Sequence, residues 1–150
     1  MNGLKTSLKI GLQILAFLAD ARNQPVSVRQ LSEALNQSEK YLEQLLLPMR
    51  RARFVMSTRG PHGGYQLARP PAYITLSEIV NVLQGPITFC DCATHQCREC
   101  VNPVMWQALE ACVDQSLGSV TLADVISGRP FPLPPRISTT AGWVQGGLGI

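Results

Sequence analysis

The chain has 150 residues, which suits one domain with an appendage or two small lobes and is enough to bury an ordinary core. Its net charge of +3 is uneven: residues 1–70 hold ten Lys/Arg against four Asp/Glu, residues 71–150 three against six. A basic front half points to a polyanion, nucleic acid first, with a solvated surface of mixed charge as the plain alternative. The five cysteines are odd in number and clustered, which argues against a dispersed disulfide scaffold and favours a reducing, cytoplasmic compartment.

Residues 3–20 read as a helix, with Leu4, Leu8, Leu12, Leu15 and Leu18 at three- or four-residue steps and Ile14 and Phe17 widening the face. Lys5 and Lys9 ahead of Ile10 to Ala19 loosely imitate a secretory signal. Gly11 and Gln13 interrupt that run, and it is too short to span a bilayer. After Pro25, Ser27 and Gln30 form a capping box that opens a short helix to Leu35, burying Val28, Leu31 and Leu35. Ser38 is the next N-cap. Its helix carries Tyr41, Leu42, Leu45, Leu46 and Met49 toward Arg53, with Pro48 expected to kink or end it.

The period then changes. Phe54 to Thr58 and Tyr65 to Leu67 read as two strands around the tight loop Arg59 to Gly64. Thr75 and Glu78 form a second capping box, for a helix through Leu83. Asn102 and Pro103 start a longer helix with an apolar face of Met105, Leu109, Cys112, Val113 and Leu117, Cys112 being expected as a core thiol. Thr121 opens a short helix to Ile126, and residues 129–150, rich in Pro and Gly, read as a flexible tail.

The order helix, helix–turn–helix, hairpin is that of a winged helix-turn-helix. The fold expected is mainly α with a small β-hairpin, followed by a long C-terminal helix. In such a motif the second helix offers its N-terminal residues to base edges in the major groove. Here those are Ser38, Glu39, Tyr41 and, one turn on, Gln44, with Glu43 near the same face and Arg50, Arg51 and Arg53 placed for phosphates. Arg59 at the wing tip suits a narrow minor groove, with His62 beside it. The plain alternative is that Tyr41 only packs its ring and that Arg51 and Arg53 are only solvated.

Cys90, Cys92, Cys97 and Cys100 fall within eleven residues. Thiols crowded on one loop can face a common point, as they do around a metal. An iron–sulfur cluster, a structural zinc and a metal-free thiol switch through Cys97 and Cys100 all suit that pattern. An enzyme such as a thiol oxidoreductase is not expected: the Cys97–Cys100 pair has no βαβ setting, and no nucleophile–base arrangement is present.

The stretch SEKYLEQLLLPMRRARFVMSTRGPHGGYQLARPPAYITLSEIV, then the cysteine loop and a helix with Trp106, resembles the IscR-type (Rrf family) transcription regulators over about residues 3–127. The segments YLEQLL and RGPHGGYQLARP carry most of the likeness. The resemblance implies a homodimer with crossed C-terminal helices, a palindromic double-stranded DNA operator, and a bound iron–sulfur cluster (2Fe–2S or 4Fe–4S). It implies DNA contacts at Ser38, Tyr41, Glu43, Gln44 and Arg59. Neither a membrane nor a small-molecule substrate is implied. Cys92, Cys97 and Cys100 match the family's three cysteines, in compressed spacing. Where some members carry a histidine this chain has Pro103, and where others carry an acid it has Lys9; neither is a usual ligand. Cys90, His95 or a group from a second subunit remain for the fourth position.

The expected organisation is a winged helix-turn-helix domain at 1–85, a cluster-binding loop at 86–101, a dimerisation helix with a short closing helix at 102–128, and a tail at 129–150. Gain, loss or oxidation of a cluster would alter the loop and so the spacing of two recognition helices, about 34 Å apart on one DNA face. A zinc-stabilised adaptor, whose winged domain binds a protein, is the remaining alternative.

Overall fold

The computed structural model describes residues 5–22, 24–61, 63–89 and 103–130. Helix α1 (Thr6–Asp20) buries Leu8, Ile10, Ile14, Leu15 and Leu18, whereas Phe17, expected on that face, is 37% exposed. Gly11 lets α1 approach its neighbours closely: a Cβ there would stand 2.3 Å from Leu83 Cδ1 and 2.9 Å from Met49 Cε.

Helix α2 (Val28–Leu35) starts at the Ser27–Gln30 box. Gln30 N–H donates to the Ser27 hydroxyl (3.2 Å), and Ser27 N–H donates to Gln30 Oε1 (2.9 Å). It stops at Asn36, whose left-handed backbone (φ 51°) is a conformation that asparagine tolerates. Leu31 is its fully buried residue; Val28 and Leu35 pack from the rim.

Helix α3 (Glu39–Arg51) runs through Pro48 rather than ending there. Proline withholds one backbone donor, but Leu45, Leu46 and Met49 around it are buried and hold both turns against the core. The helix closes three residues later. Arg53 takes a left-handed backbone (φ 58°), its N–H donates to Arg50 O (3.1 Å), and Phe54 N–H donates to Met49 O (2.9 Å). Met49 and Phe54, the residues that this closure brings together, are both buried.

Strands β1 (Val55–Thr58) and β2 (Gly64–Leu67) pair antiparallel, Val55 opposite Leu67 and Thr58 opposite Gly64. The hairpin is tied to the body by a bridge that the sequence did not announce. Val26 N–H donates to Tyr65 O (2.8 Å), and Tyr65 N–H donates to Val26 O (2.7 Å). Only glycine fits at 64, because a Cβ there would stand 2.4 Å from Val26 O.

After a 3₁₀ turn (Pro71–Tyr73), helix α4 (Leu76–Leu83) starts at the Thr75–Glu78 box, and Glu78 also receives Arg69 Nη2 at 2.8 Å. Helix α5 (Pro103–Gly118) lies along α4, joined by a Ser77 hydroxyl to Asp114 hydrogen bond and by Leu117 against the core. Helix α6 (Leu122–Ile126) has a third capping box, Thr121 with Asp124. The chain returns here to the first lobe. Leu76 N–H donates to Val120 O (2.8 Å), Leu122 N–H donates to Ile74 O (2.8 Å), and Leu122 is fully buried.

The expectation that Cys112 is a core thiol is corrected: it is exposed. Val104, Met105 and Leu109 are likewise 72%, 44% and 42% exposed. The apolar side of α5 is not covered by the described residues of its own chain. Leu4 and Asn102, and the expected tail from residue 131 onward, lie outside the described residues.

Candidate nucleic-acid interface

The period of α3 separates two faces. Leu42, Leu45, Leu46 and Met49 point into the core. On the opposite side Glu39, Lys40, Glu43, Gln44, Leu47, Arg50 and Arg51 are exposed. Four of the sequence-predicted contacts, Glu43, Gln44, Arg50 and Arg51, therefore share one outward surface. Ser38 is exposed at its N-terminal end, with its hydroxyl accepting Tyr41 N–H at 3.3 Å. Tyr41 sits on the border, half-buried and packed against the core edge, so packing already engages part of its ring.

Two residues on this surface were passed over in the sequence reading. Lys40 and Leu47 lie at its centre, Leu47 being 42% exposed. The signal was available: seven residues apart, both fall directly opposite the leucine stripe. An exposed leucine between an amide and arginines can touch a thymine methyl, while Glu43 can accept from cytosine N4 and Gln44 can pair with adenine.

In the hairpin, Val55 and Leu67 face inward and Met56 to Thr58 outward. Arg59 is exposed just past β1; His62 lies outside the described residues. The ion pairs among the described residues are Arg29–Glu33, Arg69–Glu78 and Arg129–Asp124. None involves Lys40, Arg50, Arg51, Arg53 or Arg59, which leaves these cations for an external anion. The mixed face, with bases fore and cations aft, is what base reading plus phosphate anchoring requires.

Arg69 and Glu78 brace the hairpin onto α4. Burial pushes the Glu78 carboxyl up, but the Thr75 N–H, the Arg69 guanidinium and the Thr75 hydroxyl outweigh it and hold the carboxyl below its usual range. The Arg69 guanidinium also lies 5.3 Å from the centre of the Phe54 ring.

Cys90, Cys92, Cys97, Cys100 and His95 lie outside the described residues. The frame that holds their segment is described. Phe89 N–H donates to Glu110 Oε1 at 2.7 Å, and the Phe89 ring stacks on Trp106 at 6.3 Å between centroids and 29° between planes. Phe89, the last described residue before the cysteines, thus lies against the first two turns of α5, and the described residues resume at Pro103, where that helix begins. As a donor set, four soft thiols fit an iron–sulfur cluster and also fit tetrahedral zinc. Among the described residues no helix is long and apolar enough to cross a membrane.

Residues 4–128 match the Rrf2 family, described as an iron-dependent transcriptional regulator. Over 125 residues the chain is 36% identical to the HTH-type transcriptional regulator CymR of Bacillus subtilis, covering 83% of this chain and 89% of that one. The solved structure of that protein, described as the global cysteine regulator, superposes with a TM-score of 0.71 at 35% identity, covering 87% of this chain and all of its own. The structure of IscR from T. potens gives a TM-score of 0.67 at 32% identity, over 90% and 93% of the two chains.

Proposed function

The chain belongs to the Rrf2 family of DNA-binding transcriptional regulators and is not an enzyme, and from that premise we propose that it is a cytoplasmic homodimer that senses iron–sulfur status. It reads a palindromic operator with α3 and the hairpin. The observation that carries the sensing role is the crowding of Cys90, Cys92, Cys97 and Cys100 into one segment, whose entry is pinned to α5 through Phe89, Trp106 and Glu110.

Cys92, Cys97 and Cys100 would hold a cluster, with Cys90 as the fourth thiol. When bound, such a group supplies a charge that changes with oxidation state. The rest is done by the chain. Glu43, Gln44 and Ser38 meet base edges, Arg50 and Arg51 meet phosphates, and Arg59, with His62 beside it, enters the minor groove. The exposed side of α5, with Val104 and Leu109, packs on its counterpart in a second subunit and sets the distance between two copies of α3. Because Phe89 bridges the cysteine segment and α5, altered order in that segment reaches the dimer helix. Two states of the segment then have two DNA affinities.

A second reading is a metal-free thiol switch. It is favoured by the Cys97–Cys100 spacing and by the likeness to CymR, a cysteine regulator in its own bacterium. Oxygen-free purification with visible spectroscopy and analysis for iron, sulfide and zinc separates them. Brown protein with acid-labile sulfide is the expected result. Colourless, iron-free protein gives the site to the thiol switch, and stoichiometric zinc makes it structural.

A further inference from the structure

The C-terminal end of α3 and the base of the hairpin enclose an open cleft of about 550 Å³, lined by Arg50, Arg53, Met56, Ser57 and Arg69 among others. Three arginines line it, and among the described residues the carboxylate paired with them is that of Glu78, bound to Arg69. The cleft therefore keeps a net positive charge.

Two features set it apart from a solvated basic surface. Arg53 occupies a left-handed backbone position (φ 58°) that glycine or asparagine would hold with less strain. Strain of this kind persists where the side chain has a task. Arg69 Nε is buried and has no hydrogen-bond partner among the described residues, although its Nη2 is engaged by Glu78. A buried guanidinium N–H lacking an acceptor is costly, and an anionic oxygen is the partner that removes the cost.

We propose that this cleft clamps a single DNA backbone phosphate, through the guanidiniums of Arg50, Arg53 and Arg69. The inference rests on the reading that α3 lies in a major groove. The sugar–phosphate rail dividing that groove from the neighbouring minor groove then passes between α3 and the hairpin, the two elements that wall the cleft. Ser57 adds a hydroxyl donor, and Met56, 45% exposed, offers apolar surface to the sugar. A phosphate carries no base identity, so the contact fixes register and adds affinity equally on every sequence.

The test uses the full-length protein and a palindromic duplex that the wild type selects from a random pool. Fluorescence anisotropy is recorded against salt for wild type, Arg53→Gln and Arg69→Lys, which keeps the charge but loses the planar fork. In parallel, single neutral methylphosphonates are placed at successive positions. The expected result has three parts. The slope of log affinity against log salt becomes shallower by about 0.9 per lost contact in Arg53→Gln. Selected and unrelated duplexes weaken by the same factor. One methylphosphonate per half-site weakens the wild type but leaves Arg53→Gln indifferent. The scan on wild-type protein stands even if a variant folds poorly: no sensitive phosphate between the helix and wing footprints would overturn the proposal. Equal slopes for wild type and Arg53→Gln would overturn it while leaving DNA binding intact, and if the variants also lost binding to poly-glutamate, the cleft would belong to an acidic protein partner. Failure of the wild type to bind any duplex at low salt would remove both this proposal and the reading beneath it.

Discussion

The winged lobe and helix α5 are built from the same sequence signal and end in opposite situations. In α1 to α4 the apolar stripe is used up inside the chain, and Ile14, Leu31, Leu42, Leu46 and Ile79 are fully buried. In α5 much of the apolar side stays outside, with Val104 and Leu109 exposed and, among its described residues, Leu117 packed against the core. Periodicity says that a face will be covered; it does not say by which chain. The lobe, closed by Leu122 from α6, covers its own stripes. On the proposed function, helix α5 is the part whose environment depends on a second molecule.

The largest effect expected from this contrast is in the lobe. Phe54→Ala removes a fully buried ring at the junction of α3 and β1, and should cost about 3–5 kcal/mol in urea denaturation. A loss near zero would mean that the lobe is not the packed unit described.

Leu109→Glu puts a carboxylate on the exposed side of α5. It should weaken self-association by about 2 kcal/mol or more, read by sedimentation equilibrium. The lobe, which does not bury Leu109, should keep its fold by circular dichroism. A variant that remains dimeric at wild-type concentrations would move the interface elsewhere.

Arg59→Ala tests the outer edge of the lobe. It should weaken specific DNA binding by about 1–3 kcal/mol. Stability should change by no more than about 0.5 kcal/mol, because the residue is exposed. An unchanged footprint and affinity would take it out of the site.

The smallest effect concerns the brace between hairpin and α4. The Glu78 carboxyl titrates below its ordinary value in the folded chain, so the stability it contributes is fully present above about pH 4.5 and is lost as pH falls below that value. Urea midpoints at about pH 6 and about pH 4 should therefore diverge more for wild type than for Glu78→Gln. Parallel behaviour of the two proteins would show that the brace is not an ionised pair.

Much of the lobe was legible because its signals are local. A hydroxyl with an amide or carboxylate three residues on marks a helix start wherever it occurs, and Ser27–Gln30 and Thr75–Glu78 both form the reciprocal box. The box at Thr121–Asp124 escaped because aspartate replaces the longer acid in the usual pattern. At Pro48 a local rule left a kink or an end open, and with Leu45 and Met49 packed in the core the helix continues to Arg51. The Val26–Tyr65 bridge and the return of Leu122 to the core join distant segments and leave no local trace. On the interface, Glu43, Gln44, Arg50 and Arg51 follow from helical spacing alone. Leu47 was missed by searching for polar contacts rather than for everything opposite the core, and Lys40 was passed over although it is polar and lies at the helix start. Cys112 was misplaced because a small apolar thiol on a striped helix looks the same whether its neighbour is its own chain or another.

The measurement that bears most directly on the whole account is a titration of one selected palindromic duplex with cluster-loaded protein and with the same preparation stripped of metal, under oxygen-free conditions. The account predicts two different affinities, separated by roughly fivefold or more, with both forms still dimeric. Superimposable binding curves, from a loaded sample verified by its iron and sulfide content, would contradict it.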